Sequence, residues 1–147
     1  MNNSIIIKDW ASVRVEQPAA EAITPGQFMS RDANGEFIAN ATAGAAGPLI
    51  VALEDENQGN TIEDDYASGD RVDAWVPRSG AQVLAKVLSG FSPAVGDRVQ
   101  LSASGNLEAL DAGTPGTSFP GNAVAQVIDA THQVDDNSNH RIIVEII

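Results

Sequence analysis

The sequence predicts an all-β domain, a small barrel or sandwich, and three observations carry that reading. Apolar residues alternate with polar ones in short runs bounded by Gly, Pro, Asn, Asp and Ser, the period-2 pattern of half-buried strands. About ten or eleven such runs recur at spacings of about 8–12 residues, with no long 3.6-period segment to serve as a crossover helix. One hairpin pattern occurs twice, 70 positions apart.

The clearer copy lies at 94–109. Val99 and Leu101 alternate with Arg98, Gln100 and Ser102; Ser104-Gly105 supplies a turn, and Asn106-Leu107-Glu108 resumes the alternation. A glycine suits the turn because it takes φ > 0 at little steric cost. In 24–37, Gly26 and Gly35 stand in register with Gly96 and Gly105, and Met29, Ala33 and Phe37 with Val99, Ala103 and Leu107. At the same offset Ala11 and Val13 fall on Ala81 and Val83, and Arg71–Val76 on Arg141–Ile146; 49–55 matches 123–129 with a shift of four. These matches divide the chain into an N-terminal arm, 1–10, and two diverged units of about 67 residues, 11–77 and 81–147. Gly35 and Gly105 are expected at the hairpin tips.

Taken in order, Ile5-Ile6-Ile7 is a β-branched run ahead of Lys8-Asp9-Trp10, suited to an extended segment. It has no counterpart between Pro77 and Ala81. Ser12–Gln17 reads as a strand with Val13 and Val15 inward, ended by Pro18. Residues 39–47, rich in Ala and Gly, read as a surface loop. Leu49–Leu53 is continuously apolar, as for a strand covered on both faces. Glu54–Asp70 is an acidic loop anchored by Ile62 and Tyr66, and Val72, Ala74 and Val76 alternate as a strand. Residues 81–88 fit either an amphipathic helix or a strand, and the valines favour the strand. Residues 111–122, with three glycines and two prolines, read as a surface excursion. Val124–Ile128 is a strand, 131–140 a polar loop, and Arg141–Ile147 a final strand that closes the sheet.

Composition narrows the function classes. Eight basic residues against 20 acidic give a net charge of −12, which repels nucleic acid and anionic lipid. There is no cysteine, hence no disulfide, thiolate nucleophile or Cys metal site. No signal-peptide pattern opens the chain, and no run approaches the roughly 18 apolar residues of a membrane span.

Sites for chemistry are few. His132, Asp135, Asp136 and His140 lack a recognised metal-ligand spacing, and Asp32–Glu36 fails the calcium-loop pattern, with its glycine, Gly35, in fourth place and Ala43 where a glutamate is needed. No catalytic residue, metal or cofactor is expected. Pro77-Arg78-Ser79-Gly80 resembles the phosphate-binding motif of trimeric dUTP pyrophosphatases, but the glycine-rich, arginine-containing C-terminal arm of that family has no counterpart here. The chain is therefore read as a non-enzyme, and in the repeat picture these residues are the linker between units.

Gly96-Asp97-Arg98-Val99-Gln100-Leu101 with Gly105-Asn106-Leu107, together with Pro25–Met29 and Val124–Asp129, resembles the capsid cement, or head decoration, proteins of tailed bacteriophages. The resemblance spans most of 20–147. It implies a β-barrel or β-tulip-like fold, a homotrimer, and attachment to the major capsid protein on the outer capsid surface of the virion, bridging capsomers. Ile5, Ile6, Ile7 and Trp10 are the residues expected to dock on a capsid subunit or adjacent protomer, because a terminal strand can complete a neighbour's sheet. The alternative is a receptor- or carbohydrate-binding β-module, for which seven aromatic residues offer little surface.

Overall fold

The structure is a computed structural model and describes residues 3–147; the first two residues of the expected arm lie outside it. Its strands are β1 (Ile6–Lys8), β2 (Val13–Pro18), β3 (Met29–Arg31), β4 (Phe37–Ala39), β5 (Val51–Ala52), β6 (Arg71–Val76), β7 (Gln82–Val87), β8 (Arg98–Leu101), β9 (Leu107–Ala109), β10 (Ala125–Val134) and β11 (His140–Ile146). Among the described residues the only helical element is a 3-10 turn at Glu56–Gln58, capped by Asp55.

The second half closes a five-stranded barrel in the order β7-β11-β10-β8-β9, and β9 returns to β7 through a parallel pair, Val87 with Leu107. The expected closing strand, β11, instead lies in the middle, antiparallel to both β7 and β10. With neighbours on both edges it buries Ile142, Val144 and Ile146 inside. The expected 131–140 loop is shorter than its polarity suggested. Residues 131–134 continue β10, since Gln133 and Val134 pair with Arg141 and His140.

In the first half β2, β6 and β5 form a sheet, and the β3–β4 hairpin joins it through single bridges, Phe28 with Val51 and Ala19 in parallel with Phe37. Several bonds around the 24–37 and 94–107 stretches are alike. Thr24 N donates to the Gln27 side chain as Ala94 N does to Asp97. Gly26 N donates to Ala52 O as Gly96 N does to Val127 O. At the tips, Asn34 N donates to Asp32 Oδ1 and Ser104 N to Ser102 Oγ, a side-chain-closed turn open to both residue types.

The strand pairings differ from two of the sequence matches in register. Val15 pairs with Ala74 and Val83 with Val144, so strand pairing sets Val15 opposite residue 74 and Val83 opposite residue 144, 70 positions on. Val13 is accordingly 51% exposed, not inward as its alternation suggested. Val51 pairs with Trp75 as Gln126 does with Glu145, one residue further along than the shift of four.

Two apolar clusters hold the molecule. One contains Ala19, Ile23, Met29, Phe37, Ile50, Ala52, Tyr66, Val72 and Ala74. The other fills the barrel and also takes Phe28, Val51, Leu53 and Trp75 from the first half. Successive residues of β5 and β6 thus face different cores. This is why Leu49–Leu53 shows no polar alternation, since a strand covered on both faces needs none.

Candidate interaction surfaces

The N-terminal segment lies along its own barrel. β1 pairs with β7 at Ile6–Val83 and Lys8–Gln82, with a register shift between them. Ile5 is fully buried; its N–H donates to Glu54 Oε2 at 3.1 Å and its carbonyl accepts from Leu84 N. Ile6 and Ile7 are half-buried against the barrel cluster. Trp10 is 59% exposed, with Nε1 donating to Ser79 O at 3.2 Å. The four residues expected to dock elsewhere therefore divide into one root in the core and three with free surface.

That contact places Trp10 over the 77–80 turn. Gly80 takes φ +90° and its N–H donates to Ile146 O, while Ala81 N donates to Arg78 O. The residues that resemble a phosphate-binding motif thus form the tight connection from β6 to β7.

Between the halves sits a buried charge that the sequence did not single out. Arg141 Nη1 donates to Asp135 Oδ2, Nε and Nη2 donate to Pro25 O, and Nη2 also donates to Ile62 O. One guanidinium thereby ties β11 to the Pro25-Gly26 turn and to the acidic loop. A buried cation needs this full satisfaction, because desolvation without partners costs several kcal/mol. Burial pushes the Asp135 carboxyl up, but hydrogen bonds from Arg141 and Asn139 outweigh it and hold the group below its ordinary value. Burial lowers the neighbouring Lys86 ammonium, opposed by Asp65. An arginine heading an apolar strand was the only sequence signal for this centre.

Of the residues weighed for a metal, His132 and His140 meet, Nδ1 to Nδ1 at 3.1 Å with the rings edge to face. Asp135 is taken by Arg141. Among the described residues no group of three or more His, Cys, Asp or Glu side chains converges as a metal site would. In the acidic loop, Ile62 and Tyr66 are buried as expected, and the Tyr66 hydroxyl donates to Leu53 O at 2.7 Å.

Exposed apolar side chains are the remaining surface feature, with Trp10, Val13, Val95 and Phe119 each more than half exposed. A search among curated proteins gave no significant match. A family model described as XM1 gp53 minor capsid protein matches residues 3–147. The chain belongs to this family, and so to the structural proteins of phage capsids.

Proposed function

We propose that this capsid protein binds the outer face of the assembled head and stabilises it by bridging neighbouring capsomers, acting as a homotrimer on the major capsid protein. The observation that carries the reading is the minor capsid family match across residues 3–147. The net charge of −12 supports the outer face, since on the inside it would oppose packaged DNA. Bridging needs affinity only where several subunits present the site together, an avidity effect.

The N-terminal segment is the proposed capsid- or protomer-binding element, with Ile5 as its root and Ile6, Ile7 and Trp10 as its contact surface. The rest of the chain is read as two diverged units, 11–77 and 81–147. The corresponding hydrogen bonds of the two hairpins and the two parallel closures support that division.

Heads assembled without the protein provide the test. Added protein should co-sediment with them, decorate their exterior in electron micrographs, and raise the temperature at which they rupture. Trp10→Ala should weaken attachment about tenfold with the melting temperature unchanged, as for loss of one aromatic anchor. Binding to the inside alone, or no binding to heads, would refute the reading.

A further inference from the structure

Charge is absent from two long stretches of this strongly acidic chain. Residues 37–53 and 112–128 contain no Asp, Glu, Lys, Arg or His. Each spans the corresponding connection of its half, β4 to β5 and β9 to β10. The fold brings them together: Asn122 N and Nδ2 both donate to Gly44 O, and Gly44 N donates to Leu101 O.

On the face where these stretches meet stand a projection and a hollow. The projection is 111–121, a closed finger in which Thr114 and Ser118 bridge. Its base is fixed by the buried Gln100, whose Oε1 accepts from Asp111 N and whose carboxamide occupies the space a Cβ on Gly121 would need. Phe119 stands on this finger 95% exposed. The hollow, about 570 Å³, is lined by Arg31, Ile38, Ala41, Ala45, Pro48 and Leu101 among others, ample for one phenyl ring.

We infer that this face binds a second copy of the chain, with Phe119 of each copy entering the hollow of the next. Finger and hollow belong to stretches joined at Asn122 and Gly44, so rotation about a symmetry axis supplies each with its complement, and the assembly closes where that rotation closes. The charge distribution selects the same face. Two copies at −12 each repel over most approaches, but here the uncharged stretches meet, and the hollow is lined by Arg31 and by no acidic side chain. The finger is held before binding, so little ordering entropy opposes it. This inference deepens the homotrimer reading, yet it does not depend on capsid attachment.

Sedimentation of the full chain in the absence of heads tests it. Self-association at micromolar concentration is expected, weakened at least about tenfold by Phe119→Ser and separately by Ala46→Glu at the hollow. Val95→Ser, at an exposed apolar residue outside the two stretches, should leave it unchanged. All three positions are exposed, so unchanged melting curves should accompany the result. A monomeric native protein, or association indifferent to both substitutions, would overturn the inference. So would a monomer that loses head binding on Phe119→Ser, because the face would then belong to the capsid contact. Self-association without head binding would sustain the inference and refute only the attachment reading.

Discussion

The guanidinium of Arg141 meets the carboxylate of Asp135 at 2.6 Å with both side chains 1% exposed. Arg71, its counterpart at the 70-residue spacing, pairs with Glu16 at 2.9 Å in the open, the two side chains 68% and 50% exposed. Similar chemistry therefore has different weight in the two halves. Arg141→Met should destabilise the protein by about 3–5 kcal/mol, because it strands a buried carboxylate and two carbonyls. Arg71→Ala should change stability by about 0–1 kcal/mol. Chemical denaturation of both variants measures the contrast, and equal effects would contradict the clamp.

The same pair sets an acid limit. The folded Asp135 carboxyl lies below its ordinary value, so the unfolded chain takes up its proton first as pH falls. Its stabilisation is complete above the unfolded value of about 4 and is lost as pH drops through the depressed folded value. Melting temperature should fall along that range in the native protein and fall less steeply in Asp135→Asn, which starts lower.

The two hairpin tips should differ as well. A Cβ on Gly105 would stand 2.5 Å from Phe28 O, whereas Gly35 has open space around it, although both have positive φ. Gly35→Ala should cost about 1 kcal/mol of left-handed strain. Gly105→Ala must also push the second hairpin off the first, breaking the bond from Phe28 N to Gly105 O, and should cost several times as much. Thermal unfolding of the two variants compares them directly.

Tyr66 gives an alkaline counterpart. Burial raises its hydroxyl well above the ordinary value, so the fold is stabilised below about pH 10 and loses that contribution as pH rises further. Tyr66→Phe should lower stability at neutral pH by about 0.5–1.5 kcal/mol, the net worth of one hydrogen bond. It should also flatten the alkaline decline of the melting temperature.

Local pattern was enough for the strand-rich class and for the elements that depend on it. Val99 and Leu101 alternate and are buried; Gly35 and Gly105 take positive φ at the turns; the valines of 82–87 form a strand rather than a helix. Charge along the chain was also legible, and it drew the two neutral stretches without showing that they touch. Tertiary structure decided what lies between elements distant in sequence. Val13 and Val15 alternate alike, yet only Val15 packs against a core, because the register of β2 on β6 sets where its sheet is covered. Arg141 reads as an ordinary strand head until Pro25 and Ile62 are brought to it. Ile5 reads as a free arm until Leu84 and Glu54 close over it. Side-chain period is a property of one strand, but burial depends on which strands meet, and that is settled by contacts across the whole chain.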